Sequence, residues 1–184
     1  MRHPFQSISP DRLSRYLIPL TLLTLIFMFT LNWLGSSLIT SLAPSGIISF
    51  ELAGDVQTSE AIIDSWDPRS QMIASLSLGL DYLFLVIYSS TIGFGCIWAM
   101  SAFSVSQSSI LRPTGILLAW GQWFAALFDS VENAALLELL LGKIQSPWPQ
   151  IAQICATLKF SLIALGLIYI VIGALVKSVK RARA

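Results

Sequence analysis

The sequence predicts an all-α membrane protein, a bundle of four transmembrane helices with both the N- and C-termini in the cytoplasm. Hydrophobic residues make up 55% of the 184 positions and charged residues 11%, whereas charged residues make up about 25% of typical soluble domains. The surplus apolar surface is therefore expected to face lipid. Four apolar runs reach the roughly 20 residues that cross a hydrocarbon core of about 30 Å, and basic residues gather near the two ends of the chain.

The four predicted spans follow one another within a single domain. They cover about residues 17–42, 72–103, 114–141 and 148–176. Residues 1–16 are expected to form a cytoplasmic N-terminal segment, and residues 177–184 a basic cytoplasmic tail. The first run is longer than the roughly 7–15 apolar residues of a signal peptide, so it is interpreted as a helix. Short joints between the last three spans predict that successive helices are antiparallel neighbours.

Residues 43–71 are predicted to form an acidic loop outside the membrane, with a short interfacial helix. The acids of this segment are Glu51, Asp55, Glu60, Asp64 and Asp67. Thr58 or Ser59 is expected to cap the short helix, and Trp66 is expected to lie at headgroup level. Glu51 is interpreted as a solvated loop charge.

The distribution of lysine and arginine predicts the orientation in the membrane. With the N-terminus inside, the cytoplasmic side holds Arg2, Arg12, Arg15, Arg112, Lys177, Lys180, Arg181 and Arg183. The outer side holds only Arg69 and Lys143. Because cytoplasmic loops carry the excess of basic residues in membrane proteins, this asymmetry favours cytoplasmic termini.

Polar and ionisable residues within the spans mark the candidate site, since such groups are costly in lipid and rare. At a helical rise of about 1.5 Å per residue, every span is expected to contribute a polar group to the outer half of the bundle. The residues of the predicted polar pocket, which is expected to open outward, are Asn32, Asp81, Tyr88, Asp129, Glu132, Asn133 and Lys159. Asp129, Glu132 and Asn133 are three or four residues apart and are expected to share one helix face.

Asp129, Glu132 and Lys159 are expected to form one coupled network. An uncompensated charge in a low dielectric tends to titrate, so at least one acid should be protonated or share a proton, and Asp129 and Glu132 are the expected pair. As catalytic candidates, these two acids would serve as acid and base, with Lys159 stabilising developing negative charge. The same residues would also suit a purely structural role in helix packing.

The small number of cysteine and histidine residues excludes several functional classes. Cys96, Cys155 and His3 form no CxxC motif, histidine pair or Cys/His cluster, so no cofactor and no metal are expected. This pattern argues against thiol-relay quinone reductases, bis-histidine haem proteins, zinc membrane proteases and histidine-dependent di-iron proteins. The basic residues flank apolar spans and form no stripe with interleaved aromatics, which argues against nucleic-acid binding.

Three stretches resemble those of uncharacterised bacterial four-helix integral membrane proteins. They are SFELAG at 49–54 with Trp66-Asp67 after it, LGLDYLF at 78–84 with Tyr88 after it, and DSVENA at 129–134. Together they span about the middle half of the chain. The resemblance implies the fold and a bacterial membrane, and it implies no activity. The expected location is the bacterial cytoplasmic (inner) membrane, crossed several times.

The sequence leaves three functions open. The first is a multi-pass membrane protein whose acid-rich pocket binds or passes a small cationic or amphipathic ligand. The second is a structural or assembly subunit whose buried charges only fix helix packing, and the third is a membrane enzyme that acts on a lipid-like substrate through paired carboxylates. The expected partner is the lipid bilayer, and a small ligand, a lipid, another membrane protein or a second copy of the chain stay open as further partners.

Overall fold

The computed structural model describes residues 3–103 and 110–182; most of these residues are helical, and no β-strand occurs among them. The all-α prediction is therefore confirmed. The α-helices are α1 (Pro10–Leu34), α2 (Ile47–Glu51), α3 (Val56–Asp64), α4 (Pro68–Met100), α5 (Leu111–Leu140) and α6 (Trp148–Ala182), and 3₁₀ helices cover Pro4–Ser7 and Gly35–Leu38.

Three helical segments are long and apolar enough to cross a membrane. They are Arg15–Leu38, Pro68–Met100 and Trp148–Ala182, with mean hydropathies of 1.9, 1.8 and 2.4. They correspond to the first, second and fourth predicted spans. In the described part of the chain α5 is not among these segments, although it has 30 residues. The fourth span therefore stays a prediction.

The residues group into two compact units. The first unit contains the described residues of 3–24, 87–126 and 160–182, and the second contains residues 25–86 and 127–159. The helices α1, α4, α5 and α6 contribute residues to both units, whereas α2 and α3 lie wholly within the second.

An apolar core holds the second unit together, and the segment predicted as an outer loop supplies much of it. The buried core residues are Leu38, Ala43, Phe50, Ile62, Ile63, Trp66, Ala74, Leu78, Ala135, Leu136, Leu139 and Ala152. Nine of them come from α2, α3, α4, α5 and α6. Leu38 ends the second 3₁₀ helix, and Ala43 and Trp66 lie in the connections between helices. Residues 43–71 are thus packed as part of the fold.

Trp66 is a core residue of the second unit, and its predicted level at the lipid headgroups stays a prediction. Its side chain is 3% exposed and contacts the Phe50 ring edge-on, with 5.4 Å between centroids. The indole Nε1 donates a hydrogen bond of 2.9 Å to the carbonyl oxygen of Leu38. A buried indole needs an acceptor for its N–H, and the end of a helical segment provides a free carbonyl.

The short helix α3 begins one turn earlier than the sequence suggests. Its N-cap is Asp55, whose carboxylate accepts hydrogen bonds from the Thr58 amide at 2.8 Å and the Thr58 hydroxyl at 2.7 Å. The predicted caps Thr58 and Ser59 therefore lie within the helix. These hydrogen bonds to the charged form hold the pKa of Asp55 below its usual value.

The N-terminal segment is folded in the first unit from His3 onward. The His3 ring is 2% exposed and lies 4.9 Å from the Trp120 ring and 5.0 Å from the Trp123 ring, measured between centroids. The phenyl ring of Phe5 stacks on Phe94 at 3.9 Å. The first long helix then begins at Pro10, several residues before the predicted start near residue 17.

Candidate functional site

The third predicted span places three polar side chains on one buried face of α5. Asp129, Glu132 and Asn133 are 2%, 0% and 1% exposed. Residues three and four apart lie on the same side of a helix, so the spacing brings these side chains together. The sequence predicted this shared face.

Lys159 on α6 contacts two of the acids directly. Its Nζ atom donates hydrogen bonds of 2.7 Å to Asp129 Oδ1 and 2.9 Å to Glu132 Oε1. The lysine is itself buried, at 6% exposed. Ammonium and carboxylates at these distances form charge-assisted hydrogen bonds, which are roughly twice as strong as neutral ones. The structure thus brings together the three residues expected to form a network.

Glu51 is a third acid at the lysine, and its interpretation as a solvated loop charge is wrong. It is the last residue of α2 and is 7% exposed. Its Oε2 atom lies 3.7 Å from Lys159 Nζ. Ile47, Phe50 and Glu51 have the spacing of one helical face, and Phe50 is 1% exposed. That periodicity was the available signal, but five residues are too few to predict a helix.

Two glycines allow α2 to return toward the other helices. Gly46 precedes it with a φ of 59°, and Gly54 follows it with a φ of 75°. L-residues with a side chain rarely adopt these angles. Next to Gly54, the Gln153 side chain on α6 donates a hydrogen bond of 3.1 Å to the Leu52 carbonyl. The chain around α2 is therefore attached to α6 close to the position that holds Glu51.

The cluster of Lys159, Glu51, Asp129 and Glu132, called here the ion cluster, contains more acids than bases. Glu51 Oε2 and Glu132 Oε2 are buried and accept no hydrogen bond from an N–H or O–H group of the described residues. Burial raises the pKa of the Glu51 carboxyl, and the nearby Lys159 ammonium opposes that rise. The three carboxylates thus compete for one ammonium in a region of low dielectric.

A second polar contact joins α4 to the same face of α5. Asn133 Nδ2 donates a hydrogen bond of 2.7 Å to Asp81 Oδ2. The hydroxyl of Tyr82 donates a hydrogen bond of 3.1 Å to the Ser130 carbonyl. Asp81 and Asn133 therefore lie in the second unit with the ion cluster.

The remaining two predicted site residues differ in burial. Asn32 is exposed on α1, unlike the buried residues of the ion cluster. Tyr88 on α4 is buried, at 4% exposed, and its assignment to the polar pocket stays a prediction. Helical rise predicts the height of a residue along its axis and not the direction in which it points. A single asparagine in an apolar run has no polar neighbours that would indicate its face.

The ion cluster is closed, which differs from the predicted outward-opening pocket. None of its four side chains is more than 10% exposed. No group of three or more His, Cys, Asp and Glu side chains suited to a metal ion occurs in the part of the chain that the structure describes. The Lys159 ammonium itself occupies the position between the carboxylates. Such a cluster can hold helices together, bind a small cation or exchange protons.

Comparisons with known proteins identify no relative of this chain. A scan against protein-family models gives no match, and searches of the curated proteins and of the solved structures find no similar chain.

Proposed function

We propose that this chain is a multi-pass protein of the bacterial cytoplasmic membrane, and that its ion cluster binds a small cation that arrives from the outer side. The three apolar segments of membrane length support the location. The excess of basic residues near both termini supports four crossings with cytoplasmic ends. The resemblance of its middle half to bacterial four-helix membrane proteins favours the same arrangement. The acidic segment 43–71 would attract cations toward α2.

The surplus of buried carboxylates carries this proposal. If all three acids were ionised, one ammonium would leave an excess of two negative charges among side chains that are at most 10% exposed. Pairing two helices requires only one acid for one lysine. Each further buried carboxylate adds a desolvation cost and repulsion from its neighbours. A bound cation would relieve both, because it would interact with the oxygen atoms of Glu51 and Glu132 that accept no hydrogen bond.

A structural or assembly role is the second candidate, and a specific observation favours it. Lys159 on α6 already forms short ion pairs with two acids on α5, and Asn133 on α5 binds Asp81 on α4. Polar contacts of this kind fix the order of helices in membrane bundles. An enzyme that uses Asp129 and Glu132 is not proposed, because these side chains are too enclosed to meet a lipid-like substrate.

The topology gives the first test, because the number of spans decides the side of the C-terminus. With a cytoplasmic N-terminus, four spans return the C-terminus to the cytoplasm, whereas three leave it outside. A reporter active only in the cytoplasm is therefore expected to give signal when fused after Ala184 and none when inserted near Val56. A reporter active only outside serves as the control and should give the reverse pattern. Cytoplasmic signal at Val56 would refute the orientation, and its absence at Ala184 would refute the fourth span.

Cation binding gives the second test. The purified full chain in detergent is heated across titrations of sodium, potassium or methylammonium, and separately across a titration from alkaline to neutral pH, with a bulky organic cation balancing the ionic strength. A ligand that binds only the folded state raises its stability in a saturable manner, so one of these cations is expected to raise Tm. Glu132→Gln should abolish that rise. Glu138→Gln, on the same helix but paired with the exposed Lys143, should keep it. Equal responses of the wild type and Glu132→Gln would favour the structural role.

A further inference from the structure

We propose that the cation bound by the ion cluster is a proton, and that the carboxyl groups of Glu51 and Glu132 share it. This inference rests on the proposed function and names the ligand. It differs from the expectation of the sequence, in which Asp129 and Glu132 form the pair. The geometry of the lysine and the unsatisfied oxygen atoms of the two glutamates carry the argument.

The position of Lys159 leaves little room for any larger cation. Its Nζ atom lies 2.7 Å from Asp129, 2.9 Å from Glu132 and 3.7 Å from Glu51. A metal ion or an amine that used the same carboxylates would have to displace the ammonium and meet its charge at close range. A proton needs no cavity, because it forms part of an O–H···O hydrogen bond between two oxygen atoms.

The two glutamates meet at one ammonium and keep unsatisfied oxygen atoms there. Glu132 Oε1 lies 2.9 Å and Glu51 Oε2 lies 3.7 Å from the same Lys159 Nζ atom, and each carboxyl has a buried Oε2 that accepts no hydrogen bond from an N–H or O–H group of the described residues. Two ionised carboxylates repel each other because both are negatively charged. Neither can donate a hydrogen bond to the other, since an ionised carboxylate only accepts hydrogen bonds. A proton on one carboxyl removes this repulsion and provides an O–H group that donates a hydrogen bond to the other. Two like-charged carboxyls that share a site behave in this way, with one of them held in its neutral form.

Asp129 fits the role of the ionised partner of the lysine. It makes the shortest contact with Nζ, at 2.7 Å, and is 2% exposed. One proton on the glutamate pair lowers the negative excess of the ion cluster from two charges to one. Other titratable groups that interact with the cluster include Asp81 and Tyr82 on α4 and Cys155 on α6.

The location of Glu51 provides a route for proton exchange. Glu51 belongs to the short helix α2, outside the predicted spans, whereas Glu132 lies within a span and is 0% exposed. When the proton leaves, it passes from the glutamate pair to water on the side of α2, and three carboxylates, those of Glu51, Glu132 and Asp129, then lie beside the lysine. No other bond forms or breaks. Protonation and deprotonation would therefore change how strongly α2 is held against α5 and α6.

Infrared spectroscopy of the full chain in detergent tests the proposal, because the C=O stretch of a protonated carboxyl is separate from the bands of a carboxylate. At neutral pH the wild type is expected to show such a band, and the band should shift in D₂O. Glu51→Gln and Glu132→Gln should each remove the same component, since either change leaves only one glutamate. Glu138→Gln is the matched control and should leave that component in place, because Glu138 pairs with the exposed Lys143.

The outcomes separate the identity of the ligand from the proposed function. If the wild type lacks the band at neutral pH, the proposal that the bound cation is a proton is wrong. This result does not depend on the folding of any variant. Loss of the component in Glu132→Gln but not in Glu51→Gln would overturn the shared pair. If the band is absent and sodium, potassium or methylammonium raises Tm in the wild type but not in Glu132→Gln, the ion cluster binds a cation, and the proposal that this cation is a proton is wrong. If neither the band nor any cation effect occurs, both proposals fall.

Discussion

Replacing Lys159 with methionine is expected to lower the free energy of unfolding by about 3–5 kcal/mol, because it leaves buried carboxylates without their counter-charge. The lysine is 6% exposed and contacts Asp129, Glu132 and Glu51. Methionine has a similar length and no charge, so the change tests the charge more than the volume. Unfolding of the purified protein in detergent, followed by heat or denaturant, measures the difference.

Lys143→Met is the matched control for the same chemical change. Lys143 contacts Glu138 at 2.6 Å, but its side chain is 58% exposed. Exposed ion pairs contribute about 0–1 kcal/mol, because water screens them and ordering the side chains opposes them. The control should therefore cost far less than Lys159→Met. Equal effects would show that the contacts of the ion cluster do not stabilise the fold.

The double variant Lys159→Met/Asp129→Asn should be more stable than Lys159→Met alone. Removing Asp129 together with its partner eliminates one of the charges that the first substitution leaves unpaired. The difference from simple addition measures the coupling between the two residues. Additive effects would show that the 2.7 Å contact carries no coupling energy. Coupling alone fits both helix pairing and cation binding, and only the cation and infrared experiments separate those functions.

Replacing Trp66 with alanine is expected to cost about 3–5 kcal/mol, as for other large-to-small changes at buried aromatic residues. The indole is 3% exposed, contacts Phe50 and donates a hydrogen bond to the Leu38 carbonyl. Its loss would leave a cavity beneath α2 and α3 and a carbonyl without its partner. Thermal or denaturant unfolding in detergent measures the loss, and Trp33→Ala is the control because Trp33 is 69% exposed.

A smaller substitution separates packing from hydrogen bonding at the same position. Trp66→Phe keeps an aromatic ring against Phe50 but removes the N–H donor. It should therefore cost less than Trp66→Ala and more than the Trp33→Ala control. If Trp66→Ala and Trp33→Ala were equally stable, Trp66 would not serve as a core residue of the second unit.

Local sequence was sufficient to predict the helices and part of the ion cluster. Apolar length and the scarcity of charge predict long helices because a membrane helix must satisfy its backbone internally and present apolar side chains to lipid. The spacing of Asp129, Glu132 and Asn133 predicts one shared face, since helical periodicity is a local property. The contact between Lys159 and the acids on α5 followed from their matching heights along neighbouring antiparallel helices.

Only the tertiary structure decided the positions of Glu51, Trp66 and Asn32. The segment that carries Glu51 and Trp66 contains too few apolar residues to cross a membrane and many acids, so its composition resembles a solvated loop. Two glycines with positive φ, Gly46 and Gly54, flank the helix that turns the Glu51 carboxyl toward a lysine more than one hundred positions away in sequence. Such a contact depends on how separate helices pack, and local periodicity carries no information about that packing. For the same reason Asn32 had a predictable height on α1, but the direction of its side chain depended on neighbours that its own helix does not specify.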